Sequence, residues 1–379
     1  MNSPPSTRTE PLVLGIETSC DDTACAVLDG AGRVLSSVVS SQLEVHRPFG
    51  GVVPEVASRE HLRNWPTVSE AALRQAGCVV SDLGAVAATY GPGLVGSLLV
   101  GLSIGKALAY ARGLPFFAVH HLEGHLYSPF LIPGGDPAEE PPEDFVGLVV
   151  SGGHTTLVAV SARGVEALGE TRDDAMGEAF DKVGKRLGLP FPGGPDLDAW
   201  AELAEQDGAA PMPPRLGVAR CGDTLDFSYS GLKTQTLLEI QRLETSGVAT
   251  PLGEPPRAGV AGSAVLAERP DPRLLALVAE FRRAAVAQLV DRLERLHRRS
   301  PFGVLAVSGG VAANRLLRRD IPAWAERRGV TLRLVEPVFS GDNAAMIAHA
   351  GWRRLRRGES DDPRSVEAIS RQPLGAATR

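Results

Sequence analysis

Cysteine is scarce in this chain of 379 residues: Cys20, Cys25, Cys78 and Cys221 are the only four, and no two of them form a C-x-x-C pair. That pattern excludes a zinc knuckle, and reduced thiols in a cytosolic protein are the simplest account of it. Lysine is as rare, since Lys106, Lys182, Lys185 and Lys233 are the only four among 39 basic residues. Arginine's planar fork suits phosphate, but so general a bias also follows from genome composition and assigns no site. No apolar run is long enough for a membrane span, because residues 97–111 are short and interrupted by Gly, Ser and Lys106. The first eleven residues are polar and proline-rich, with no apolar signal core. These absences point to the cytoplasm and to no membrane partner. The net charge of −6 excludes a surface that attracts nucleic acid everywhere, so any basic site must be local.

What is present fits a globular α/β protein, with 43% hydrophobic and 22% charged residues and length for two lobes. Histidine numbers eight, and three of these, His120, His121 and His125, fall together. His121 and His125 lie one turn apart on one helix face, a geometry that lets two imidazoles share one metal ion. A zinc-peptidase helix would carry Glu directly after the first His. Here that residue is Leu122, so the pair fits a metal site but not a protease.

In chain order, the apolar stretch Leu12–Glu17, residues 24–28 and residues 34–40 read as a three-strand meander. The turn at residues 18–23 is dense in hydroxyls and carboxylates, among them Asp21 and Asp22. A helix is expected at 58–76, where Pro66 would start or kink it. A strand at 85–89 follows, then a small-residue helix at 94–112, a strand at 116–119 and the histidine helix. After an acidic, proline-rich loop at 132–144 the pattern repeats. Strands at 146–150, 156–160 and 165–170 precede helices at 176–187, 196–205, 230–243 and 272–299. A strand at 304–307, a helix at 311–319, a strand at 332–335 and a last helix at 342–354 complete it. The expected divisions are a disordered tail 1–11, an N-terminal lobe 12–131, a C-terminal lobe 145–355 with an insertion at 245–270, and a basic tail 356–379. The repeated βββ-then-αβα order resembles the duplicated ribonuclease-H-like fold of actin, Hsp70 and sugar kinases, a two-lobed α/β architecture.

Ser151-Gly152-Gly153-His154-Thr155 sits between two strands, where paired glycines let a ligand approach exposed amides. A matching turn, Ser308-Gly309-Gly310, opens a helix whose N-terminus favours an anion, and Asn314 beyond it reaches towards a ribose or base. Asp174 is a natural helix cap, and Asp181, further in, is placed to accept hydrogen bonds from a ribose. The turn at 192–198 suits a sugar edge, although caps and loop chemistry explain both stretches equally. Asp342 either caps the last helix or serves as a third ligand beside the histidines, and two imidazoles with one carboxylate make an open, catalytic type of site. His349 reads as packing. Arg353, Arg354, Arg356 and Arg357 form either a local basic patch for phosphates or a solvated helix end.

Together these motifs resemble, in order, the tRNA N6-adenosine threonylcarbamoyltransferase family, formerly known as O-sialoglycoprotein endopeptidases. The stretches that carry the resemblance are residues 15–23, Tyr90-Gly91-Pro92-Gly93, the His121–His125 pair, residues 151–155, residues 177–182, Ser308 to Asn314, and Asp342-Asn343-Ala344-Ala345-Met346. The resemblance implies one iron(II) or zinc ion per subunit on His121, His125 and Asp342. It implies that Val149, Val150, Ser151, Gly152, Gly153, Asp181, Gly194, Asp198 and Asn314 bind threonylcarbamoyl-adenylate. Asp21 and Asp22 match acidic positions tied to activity. The implied product is threonylcarbamoyladenosine beside the anticodon of tRNAs that read codons beginning with A. The implied partners are tRNA, a related inactive paralogue and a small ATPase. Two rivals are open from the residues alone. One is a phosphotransferase of the same fold, which the histidine pair disfavours because Mg²⁺ prefers oxygen. The other is a nucleotide-binding scaffold.

Overall fold

The computed structural model describes residues 11–207, 215–219, 221–248 and 269–375. The expected tail at 1–11, save Pro11, and residues 249–268 of the insertion lie outside the described residues. In the first sheet, β1 (Leu12–Glu17), β2 (Asp22–Leu28) and β3 (Val34–Ser41) form the meander, and β4 (Leu83–Gly91) and β5 (Phe116–His120) add in parallel. Its order is β3-β2-β1-β4-β5. The helices between are α1 (Leu43–His46), α2 (Pro54–Gln75), α3 (Val95–Arg112) and α4 (His121–Tyr127). The second sheet repeats the plan: β6 (Phe145–Val150), β7 (Thr155–Ser161) and β8 (Gly164–Glu170) are antiparallel, while β9 (Val304–Ser308) and β10 (Thr331–Leu334) add in parallel, in the order β10-β9-β6-β7-β8. Its helices are α5 (Met176–Arg186), α6 (Gly194–Asp207), α7 (Ser230–Thr245), α8 (Pro272–Arg299) and α9 (Arg315–Arg328), and α10 (Ala344–Arg356) closes the series. The same three antiparallel and two parallel strands, built twice, are the duplicated ribonuclease-H-like α/β fold.

Helix boundaries differ from the sequence reading most at α2 and at α9, which runs to Arg328 and not 319. The α2 helix begins at Pro54, where a missing N–H costs nothing, and runs on through Pro66 instead of starting there. The turn after β9 is a 3₁₀ segment, Gly310–Ala313, so α9 starts only at Arg315.

Contacts divide the chain into two units, Met1–Gln42 with Val53–Pro141 and Val335–Arg379, and Leu43–Val52 with Pro142–Leu334. Residues 335–355, expected in the lobe 145–355, group by contacts with the first unit. The cause lies in small residues on one face of the first sheet. Leu12, Leu14 and Ile16 join the core with Val68, Ala72, Leu102 and Ala109. Gly15 alternates with them and faces α10, where a Cβ would come within 2.2 Å of the Ala344 carbonyl oxygen. Gly351 meets Ala87 in the same way, at 2.6 Å. The helix buries Met346, Ile347 and Trp352 there, each worth about 1.5–3 kcal/mol, which outweighs its nearness in sequence to β10. The expected basic tail also packs on this unit: Asp361 and Ile369 donate backbone N–H groups to Phe116 and Tyr90, and Val366 is buried. No helix among the described residues is long and apolar enough to cross a membrane.

Candidate metal centre and glycine-rich turns

In the first unit, β5 ends at His120, whose ring nitrogen accepts the Leu122 N–H and so caps α4. The cap sets the register of a seven-residue helix whose inner face carries His121 and His125, both buried, with ring centroids 4.8 Å apart. Gly124 lies between them against Met346 and Ile347, where a Cβ would come within 2.9 Å. That glycine lets α4 approach α10, and Asp342 just ahead of α10 thereby meets both rings. Asp342 Oδ1 stands 3.1 Å from His125 Nε2 and 3.6 Å from His121 Nε2. One ligand atom from each of the three residues lies within 4.8 Å of the others. Asp342 does not cap α10. Asn343 does, accepting the Met346 N–H, which leaves the Asp342 carboxylate to the histidines.

A residue that sequence reasoning passed over orients this site. Glu17, buried at the end of β1, accepts from Thr89 Oγ1 at 2.6 Å and faces His121 Nδ1 at 3.1 Å, as does Ser19 Oγ. A carboxylate on Nδ1 keeps the proton there and turns the Nε2 lone pair towards Asp342. Burial alone lowers the pKa of His121, but the Asp342 and Glu17 carboxylates outweigh it and hold the ring up at about 9. The same two carboxylates that hold a proton on this ring favour a divalent cation in its place, so the donor set fits a metal. His349 is fully buried and stacked on Trp352, as packing.

Asp21 ends the turn before β2, and Asp22 is the first residue of that strand. Burial first, then the charge on Asp342, pushes Asp22 up to about 7 despite a hydrogen bond from Ser41. The Cys20 thiol is pushed far up by burial and the neighbouring aspartates, so it stays protonated. The four arginines near the end of α10 have partners within this unit. Arg353 lies 3.5 Å over the Tyr127 ring, Arg354 grips Asp361 and Glu359, Arg356 pairs with Glu140, and Arg357 with Glu359. The basic patch read from the sequence is therefore largely neutralised.

In the second unit, the Ser151–Thr155 turn closes through His154 N–H to Ser151 Oγ. Gly177 backs it, since a Cβ there would touch Gly152 Cα at 2.7 Å. Gly309, at φ +90°, lies against the Val150 carbonyl. Gly152, Gly153 and Gly310 border open space. Val149 and Val150 are fully buried in β6, which is paired with β7 and β9, so they place the turn that follows and present no surface of their own. Asp181 Oδ1 accepts from the amides of Gly193 and Gly194 and holds that turn. Asn314 caps α9 through Leu317 N–H and donates to Asp198, whose carboxylate also takes the Arg315 N–H and the buried Arg282. The helix end expected to hold an anion thus already holds Asp198. Asp174 caps nothing: Ala175 stands at that position, and Asp174 pairs with Lys182 and Lys233.

A family model described as tRNA N6-adenosine threonylcarbamoyltransferase matches residues 33–349. Relatives bearing that name include one from Symbiobacterium thermophilum, 44% identical over 356 residues, covering 93% of this chain and 94% of the relative. Another, from Anaeromyxobacter dehalogenans, is 47% identical over 354 residues, covering 93% and 96%. Among solved structures, HypF of T. kodakarensis aligns at a TM-score of 0.53 and 15% identity over 92% of this chain and 48% of its own. Component A of the (R)-2-hydroxyglutaryl-CoA dehydratase of Acidaminococcus fermentans aligns at 0.50 and 13% over 91% and 99%. Identities this low speak for the fold alone.

Proposed function

The chain belongs to the tRNA N6-adenosine threonylcarbamoyltransferase family, and from that membership we propose that it moves the threonylcarbamoyl group of threonylcarbamoyl-adenylate to N6 of the adenosine beside the anticodon, releasing AMP. The tRNAs are those reading codons that begin with A. The observation that carries this reading is the convergence of His121, His125 and Asp342, with Glu17 fixing the tautomer of His121.

His121, His125 and Asp342 would hold one iron(II) or zinc ion. When bound, it supplies a Lewis acid for a carbonyl or carboxylate oxygen of the donor. The protein's own part is chiefly positioning, since an amine attacking a mixed anhydride needs orientation more than activation. On the second unit, the main chain of Ser151, Gly152 and Gly153 receives the adenylate, with Val149 and Val150 setting the strand that presents it and Asp181 and Gly194 shaping the next turn. Asp198 and Asn314 serve by bracing the start of α9, and contact the donor only if they leave that bond. In the first unit Asp22, whose pKa burial raises, takes the proton that N6 loses. Asp21 precedes it at the end of the turn. The partners are tRNA, a related inactive paralogue and a small ATPase, and the setting is the cytoplasm.

The test is transfer itself. Metal-loaded protein, its partners, the adenylate and unmodified tRNA should yield threonylcarbamoyladenosine and AMP in equal amounts, and His121→Ala should lose both metal and product. ATP hydrolysis that survives removal of both histidines, with no modified tRNA, would establish the phosphotransferase rival.

A further inference from the structure

His61 has no part in the chemistry above, yet it is fully buried on α2 directly beneath the Cys20–Asp22 turn. Its ring bonds fix one tautomer. The Gln42 amide donates to the Ala57 carbonyl at 3.3 Å, which sets which end of that amide is nitrogen. The same nitrogen lies 3.2 Å from His61 Nδ1, so Nδ1 must be the acceptor. Thr23 Oγ1, at 2.8 Å, is the nearer donor to the single lone pair on Nδ1. The proton therefore sits on Nε2, which donates to the Cys20 carbonyl at 3.1 Å. A second proton, on Nδ1, would face the Gln42 N–H head-on.

The turn is held residue by residue. The Ser19 carbonyl accepts the Leu94 N–H at 2.8 Å, and the Asp21 carbonyl accepts the Gln42 N–H at 2.9 Å. Three successive carbonyls are thus tied to the start of α3, to α2 and to the end of β3. The outer two are tied by main chain, which any sequence supplies. The middle one depends on a side chain that donates at one end to Cys20 and accepts at the other, between Thr23 and Gln42.

We propose that His61 is a positioning residue for the transfer reaction. By holding the Cys20 carbonyl inward it fixes the direction in which the next two residues, Asp21 and Asp22, present their carboxylates. The proposal rests on the reading that Asp22 accepts the N6 proton. Its ring bonds Thr23, Gln42 and the Cys20 carbonyl, so its loss should alter turnover rather than binding.

The experiment uses the full chain with partners, unmodified tRNA and the adenylate. His61→Ala should lower kcat by about 10- to 100-fold, as expected for a shift of about 1 Å in a reacting group. KM for tRNA and the bound metal content should stay within twofold of wild type. His61→Gln, which can still donate to the Cys20 carbonyl, should recover most of the loss. Thr23→Val keeps the shape, removes one donor to Nδ1 and should lower kcat severalfold; it carries the test if His61→Ala does not fold. Asp22→Asn is measured alongside. An inactive Asp22→Asn with a fully active His61→Ala would overturn the proposal alone, and so would a loss that His61→Gln does not recover or that follows the metal. A fully active Asp22→Asn would instead overturn the reading on which the proposal rests.

Discussion

Gly15→Ala tests how the metal site is built without touching a ligand. The backbone at Gly15 is ordinary extended strand, so alanine is not strained there and the effect is purely of space. The new Cβ would stand 2.2 Å from the Ala344 carbonyl oxygen and 2.8 Å from Ala348. An acceptable contact needs at least about 3 Å, so the start of α10 must retreat by roughly 0.8 Å, and the obstacle is main chain that cannot rotate away. Overpacking of this kind costs about 1–3 kcal/mol. Asp342 lies two residues before Ala344 and moves with it, beyond the roughly 0.5 Å within which a ligand set stays competent. We therefore expect a midpoint of thermal unfolding several degrees lower and metal affinity reduced about tenfold or more, read by calorimetry and by titration with zinc. Gly351→Ala is the control. It presses on Ala87 near the far end of α10, and should cost similar stability while sparing metal affinity, with Ala87→Gly restoring it. Gly15→Ala with the stability loss but wild-type zinc binding would refute the reasoning.

Glu17→Gln removes the carboxylate that holds the His121 proton on Nδ1, and metal affinity should fall about 10- to 100-fold with little change in fold. Unchanged zinc titration would show that Ser19 alone suffices. Burial holds His349 down to about 3, so the native ring refuses the proton that the unfolded chain takes up below pH 6.5. Its contribution to stability is present above pH 6.5 and is lost as the pH falls, by about 2 kcal/mol at pH 5. His349→Leu should flatten the urea-unfolding free energy against pH by that amount, and parallel wild-type and variant curves would contradict the assignment. Arg354→Ser should destabilise the fold, because it strands the Asp361 carboxylate that also accepts the Ala118 N–H. The salt dependence of tRNA binding should stay as it was, and a shallower slope would return Arg354 to the tRNA surface.

The strands were readable because each is a compact apolar run closed by a turn, and the two-histidine helix because spacing alone puts both rings on one face. What spacing does not give is the partner of a helix. The last helix was correctly sensed near 342–354, yet its place in the first unit depends on Gly15 and Gly351, whose message is the absence of a side chain. Glu17 had a signal, a lone carboxylate ending an otherwise apolar strand, since a charge in that position must be paired when buried. Asp342 and Asn343 are adjacent candidates for one cap, and only packing decides that Asn343 takes it. The arginine cluster looked available because Glu140, Glu359 and Asp361 were read as loop and tail instead of as counter-ions.

The order in which the ligands leave the ribosome follows from the way the second unit is inserted into the first. His125 and Asp342 are separated by 217 positions, nearly all of which belong to the other unit. A growing chain can pair β1 to β5 and form α4 early, because domains fold as they are synthesised. It then holds two imidazoles with no third ligand, and one face of its first sheet still lacks α10. Both deficits are repaired by the same late segment. With a metal on this triad, a nascent chain would grip it weakly until the second unit has been made and strongly only once its own core is closed, so tight capture would report that synthesis has run through α10.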